Sequence, residues 1–115
     1  MKRILVAGIM GLGLVMALAN TNQNADLDPL RVAGDTHKLA LENKFVRVLD
    51  VRLPPGKIEP MHSHPHGLSV YFTDWEAKVT VQGGQPQVHP RKAGSFAWSE
   101  ALTHKIGRAS CRERV

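Results

Sequence analysis

Phe45-Val46-Arg47-Val48-Leu49-Asp50-Val51-Arg52-Leu53, closed by Pro54-Pro55-Gly56, is the stretch whose reading decides the fold class. On an extended chain successive side chains point to opposite faces, so Val46, Val48 and Asp50 share one side while Phe45, Arg47, Leu49 and Val51 share the other. Both sides are partly apolar, which suits a sandwich or barrel better than a sheet with one wet face. The two prolines and the glycine end the run, since proline cannot donate to a ladder and glycine accepts turn geometries that other residues resist.

Working outward, short runs of β-formers recur at spacings of about eight to twelve residues, separated by turn residues. Strands are expected at 36–42, 68–73, 77–82, 86–91 and 95–98, with turns at Asp74-Trp75, Gly83-Gly84 and Lys92-Ala93-Gly94. Gly83-Gly84 reads as a hairpin turn rather than a phosphate cradle. No long window has helical periodicity and no internal repeat is present, so the class is all-β.

The chain has 115 residues, 43% of them apolar and 22% charged, with a formal net charge of +5, which is enough for one small domain. The excess charge sits at the ends. Residues 20–105 hold ten Lys/Arg against nine Asp/Glu, about +1, and that near balance removes the main support for nucleic-acid binding.

Lys2-Arg3 precede the apolar run from Ile4 to Ala19, which ends in Ala17-Leu18-Ala19 before the polar Asn20-Thr21-Asn22-Gln23-Asn24. This is a secretory signal peptide pattern with cleavage after Ala19, so residues 1–19 are expected to be a leader and the protein periplasmic or secreted. The run is short of the roughly 20 residues needed to span a bilayer, and no stable membrane anchor is expected once it is removed. Residues 20–34 read as a flexible polar lead and 35–105 as the folded domain. The final ten residues, Ile106-Gly107-Arg108-Ala109-Ser110-Cys111-Arg112-Glu113-Arg114-Val115, lack apolar alternation and closely resemble one translated frame of a common sequencing-adapter oligonucleotide. They are read as a non-native tail without strand character. Cys111 then falls away, and with it any disulfide framework.

His62-Ser63-His64-Pro65-His66 gathers three of the chain's six histidines into five positions. His62 and His64 are two apart, so both imidazoles project to one side of an extended chain, which is a chelating arrangement. Neutral imidazole suits zinc, copper, iron or nickel. A third donor must come from elsewhere, and His104 is the leading candidate. His37 and His89 lack such company and are expected at the surface.

The stretch Gly56-x5-His62-x-His64, with Gly94-x9-His104 behind it, resembles the two signature motifs of the cupin superfamily. The leading segment Thr36-His37-Lys38-Leu39 through Val46-Arg47-Val48 is similar to the first strands of small single-domain cupins. The resemblance implies a double-stranded β-helix, or jelly-roll barrel, left incomplete at its carboxyl end. It further implies that His62, His64 and His104 converge on a divalent transition metal (Zn, Fe, Ni, Mn or Cu) in the barrel mouth, and that two copies pair as a homodimer. The glutamate that often follows the second histidine is replaced by Leu68 and Ser69, which leaves the fourth position to water, substrate or His66. The expected glycine at Trp75 and the proline and glycine at Glu100 and Leu102 are also missing.

If strand 68–73 keeps register with the histidines, Leu68, Val70 and Phe72 face inward beside the metal, with Phe96 and Trp98 as the opposite wall. No Ser-His-Asp or Cys-His set offers a nucleophile. Two functions follow: an exported metal-dependent dioxygenase or isomerase acting on a small organic molecule, or a non-catalytic cupin that binds a small ligand or serves as a structural dimer.

Overall fold

The computed structural model describes residues 25–108 and, as backbone, Leu14–Leu18. A 3-10 turn (Ala25–Leu27) and a short helix α1 (Pro29–Val32) accompany nine strands. These are β1 (Leu14–Leu18), β2 (His37–Glu42), β3 (Arg47–Val51), β4 (His62–His64), β5 (Gly67–Tyr71), β6 (Trp75–Val81), β7 (Gln87–Arg91), β8 (Phe96–Ser99) and β9 (Leu102–Arg108). All pairings are antiparallel and form two sheets, β2-β3-β1-β5-β8 and β4-β9-β6-β7. The protein is all-β, and among the described residues the sheets do not close into a barrel.

Local chemistry explains the frame. Asn43 Oδ1 accepts from the backbone N–H groups of Phe45 and Val46 at 2.8 and 2.9 Å, folding the β2–β3 connection into an Asx turn. Pro54-Pro55-Gly56-Lys57 closes a turn in which Lys57 N donates to Pro54 O at 3.1 Å and Gly56 adopts φ 80°, a value that costs glycine nothing. The expected Gly83-Gly84 hairpin joins β6 to β7, with Gly83 at φ 78°. Leu49 and Val51 pack with Tyr71, Trp75 and Ala97 between the sheets, while Val46 and Val48 pack with Phe72. Both faces of the 45–53 run are therefore used, as its alternation requires.

Three expectations change. Part of the polar lead is ordered: Asp28 caps α1 by accepting from Leu30 N at 2.8 Å, Pro29 occupies the first turn, and Arg47 Nη1 donates to Asp28 Oδ2 at 2.8 Å. Residues 20–24 lie outside the described residues. Secondly, Ile106–Arg108 continue β9 instead of forming a tail. Ile106 and Arg108 alternate inward with His104, Ile106 packs on Leu53 and Ala77, and Arg108 Nη1 donates to Leu53 O at 2.8 Å. The strand is captured because both of its edges find partners, β6 on one side and β4 with Lys57 and Glu59 on the other; residues 109–115 lie outside the described residues. Thirdly, the backbone of Leu14–Leu18 is a strand lying between β3 and β5. The remainder of the expected leader lies outside the described residues. No helix among the described residues is long and apolar enough to cross a membrane.

Candidate metal centre

β4 and β9 build the site. Their register pairs His62 with His104 and His64 with Leu102, so the two-residue spacing of His62 and His64 puts both rings on the face that His104 shares. On the opposite face Ser63 and Thr103 hydrogen-bond at 2.6 Å, fixing that register. The His62 and His104 ring centroids stand 4.7 Å apart, His62 and His64 4.7 Å, and His64 and His104 5.1 Å. The structure thus brings together the three histidines singled out in the sequence. His66 packs elsewhere, its ring 5.5 Å from that of Trp98.

Two further residues join them. His37, expected at the surface, is 1% exposed, and its ring lies 5.1 Å from His62 and 5.8 Å from His64. Its donor atoms and those of His62 and His64 fall within 4.8 Å of one another. The route is local: α1 ends at Ala33, whose carbonyl accepts from the backbone N–H groups of Thr36 and His37 and from the Thr36 hydroxyl, and this clamp turns the first residue of β2 inward. Every later residue of β2 is exposed, so no alternation marks His37 in the sequence. Glu59 is the second addition, also 1% exposed, with Oε2 3.6 Å from His62 Nε2 and Oε1 3.6 Å from His37 Nδ1. Its backbone N–H donates to Ile106 O at 2.8 Å, which docks the 57–59 segment against β9. A carboxylate, absent at Leu68 and Ser69, thus stands beside the histidines at Glu59, three residues before His62.

Tautomers follow from the hydrogen bonds. A carbonyl only accepts, so the 2.7 Å contact of His62 Nδ1 with Pro60 O puts the proton on Nδ1 and leaves a lone pair on Nε2. His104 Nε2, 3.1 Å away, donates to that lone pair in the metal-free protein. Two nitrogens bound at about 2.1 Å to one ion stand about 3.0–3.4 Å apart for angles between 90° and tetrahedral, so the same spacing fits two ligands of a metal. The Thr36 hydroxyl donates to Ala33 O at 3.1 Å and receives the His37 Nδ1 proton at 3.1 Å. Buried His37 Nε2 is left without a hydrogen-bond partner, as are Glu59 Oε1 and both ring nitrogens of His64.

All four imidazoles are held neutral. Burial, followed by the neighbouring His62, pushes His37 and His104 down to about 3. Burial holds His64 well below its ordinary value and lowers His62 against the opposing bond to Pro60. Burial pushes the Glu59 carboxyl up to about 7. Neutral imidazoles with open lone pairs are the state a metal binds, and a cation would restore the charge of Glu59.

A cavity of about 190 Å³ adjoins the cluster, with His104 in its wall. Its lining corrects the expected pocket. β5 contributes Ser69 and Tyr71 rather than Leu68, Val70 and Phe72, and β8 contributes Ala97 and Ser99 rather than Phe96, which is 72% exposed. Trp98 reaches the rim but is 56% exposed. The cause is the Pro65-His66 crossing: β4 belongs to one sheet and β5 to the other, so inward parity passes from even to odd residues between them. On the outer face Leu68 pairs with Trp98 and Val70 with Phe96.

No protein-family model, curated protein or solved structure matches the chain.

Proposed function

We propose that this chain is an exported, metal-binding β-domain of cupin type in which His37, His62, His64 and His104, together with Glu59, hold one divalent transition metal beside a cavity for a small organic molecule. His64 carries the reading: a neutral imidazole has one N–H and one lone pair, and here both are buried and unpartnered. Leaving such groups unsatisfied costs about 1–3 kcal/mol each, a cost that a metal at the lone pair offsets. The pinned Nδ1–H of His62 supports it, because a metal-ligating histidine commonly donates its other N–H to a carbonyl.

A nitrogen-rich set with one carboxylate suits zinc, iron, nickel, manganese or copper. Bound there, the metal supplies Lewis-acid or dioxygen chemistry of the kind a dioxygenase or isomerase uses. This chain's residues orient it: His62 through Pro60, His37 through Thr36, and Glu59 by balancing charge. Titrating chelator-treated protein with Co²⁺ tests the reading. The expected result is a saturable visible absorption band at one ion per chain, absent in His64→Ala. A band of equal strength in both proteins would remove the centre from these residues, and no band in either would favour the non-catalytic ligand-binding module.

The export half of the proposal rests on Lys2-Arg3 and Ala17-Leu18-Ala19. Mass spectrometry of the protein expressed from Met1 should find Asn20 as its first residue. Retention of Leu14–Leu18 in the folded protein would instead fit the strand pairing between β3 and β5 and end the leader reading.

A further inference from the structure

We propose that the cavity beside the histidine cluster binds a small monocyclic aromatic carboxylate, with its carboxylate on Arg91 and its ring against the apolar wall of Trp75, Val79 and Ile106, the far edge directed toward His104. This deepens the metal-centre reading and rests on it for the reactive edge of the ligand alone; the grip on the carboxylate stands on Arg91.

Among the described residues Arg91 is the only permanent cation in the cavity wall, and no Asp or Glu among them lines that wall. Its guanidinium lies over Tyr71, with Cζ 5.7 Å from the ring centroid, and Nη1 spends one donor on Pro90 O at 3.1 Å. Nε is buried and has no hydrogen-bond partner. A guanidinium presents five N–H donors in a fork that matches a carboxylate, and one held against an aromatic face without an acidic partner is poised for an anion from solution. His89 lies two residues earlier on the same face of β7 and also lines the wall, adding a ring N–H donor beside the cation.

The rest of the wall selects the body of the ligand. Tyr71 and Trp75, tilted by 35° with centroids 5.4 Å apart, pack on one another, and Val79 and Ile106 extend the apolar wall. An apolar cavity of about 150 Å³ accepts benzene, so about 190 Å³ accommodates a benzene ring bearing one carboxylate. His104 belongs to both cavity wall and histidine cluster, and the registers set Arg91 beside Trp75 and His104 beside Val81, at opposite ends of β6.

The test is calorimetric titration of the full chain with benzoate, and with benzamide as the neutral isostere. Benzoate should bind wild type about ten- to a hundredfold more tightly than benzamide does, the scale expected for charge-assisted hydrogen bonds. Arg91→Gln should remove that preference, Arg91→Lys should keep part of it, and both should retain wild-type metal content. Equal binding of benzoate and benzamide by wild type overturns the proposal, and this arm needs no variant to fold. A benzoate preference that survives Arg91→Gln, checked for native circular dichroism, also overturns it. The two readings separate cleanly: Arg91-dependent benzoate binding by a chain that holds no metal supports the carboxylate site and sinks the metal centre, whereas stoichiometric metal with no benzoate preference does the reverse.

Discussion

The corner where α1 meets β3 is half-buried and the cluster where β4 meets β9 is fully buried, and the two treat their polar side chains in opposite ways. At the corner Asp28 is used on both oxygens, one capping Leu30 N and the other taking Arg47 Nη1, each at 2.8 Å. In the cluster the His64 ring makes no hydrogen bond, and His37 and Glu59 each keep one buried side-chain atom unpartnered. Polar groups buried for stability are normally paired, because an orphan costs about as much as a good hydrogen bond contributes. The corner is therefore structural, with Arg47 Nε facing Glu42 Oε2 at 3.4 Å, and the cluster keeps unpartnered atoms that a metal ion could engage.

The largest expected effect that separates the two regions is on metal affinity. Removing a direct ligand exceeds the roughly 10–100-fold loss typical of groups that only orient ligands, so His64→Ala should weaken Zn²⁺ binding by more than about 100-fold in a competition titration. His89→Ala, which touches no member of the cluster by hydrogen bond, should change it less than about threefold. Equal losses would place the metal elsewhere. Glu59→Gln keeps the shape but removes the charge, and a drop of about 10–100-fold is expected, with the metal count per chain unchanged at saturation.

Stability should divide in the opposite direction. Asp28→Ala loses a helix cap and the partner of Arg47, so urea unfolding should show a loss of about 1–2 kcal/mol with metal content unchanged. In the metal-free protein His64→Leu replaces an orphaned imidazole by an apolar side chain, and the same measurement should show a gain of about 1 kcal/mol. A loss there would mean that His64 is a paired core residue, and the contrast with the corner would vanish.

A further effect is the pH slope of the metal-free protein. His37 and His104, with ordinary values of 6.5, are held near 3 when folded, so the unfolded chain takes up protons that the folded chain refuses. Their contribution is present above pH 6.5 and is lost as pH falls toward 3. Glu59 acts in reverse, keeping its proton up to about 7 when folded against an ordinary 4.5, so its contribution fades as pH rises through that interval. With four lowered imidazoles against one raised carboxyl, midpoint urea concentrations should fall on acidification below pH 6.5. A flat profile between pH 6.5 and 4.5 would indicate imidazoles that are open to water.

What the sequence made legible, and what it hid, follows from the range of the interactions. Strand runs such as 77–82 and 86–91 are recognisable because alternation and turn residues are local, and β6 (Trp75–Val81) and β7 (Gln87–Arg91) lie within two residues of them. His62 and His64 are legible for the same reason. His37 and Glu59 are not, since each is turned inward by contacts distant in sequence or by a carbonyl clamp that no pattern announces. Ile106–Arg108 reads as charged tail because the benefit of placing Arg108 against Leu53 O is visible only once β4, β6 and β9 are assembled. The inward assignment of Leu68, Val70 and Phe72 fails at one point, the Pro65-His66 crossing, where a change of sheet reverses parity along β5.

The central claim is that the unpartnered cluster is a metal site. Its most direct test is elemental analysis by mass spectrometry of the wild-type chain and His64→Ala, each dialysed against Zn²⁺ and then against metal-free buffer. The account predicts one ion per wild-type chain and less than about a tenth of one in the variant. Equal metal in the two proteins, or none in either, would contradict it.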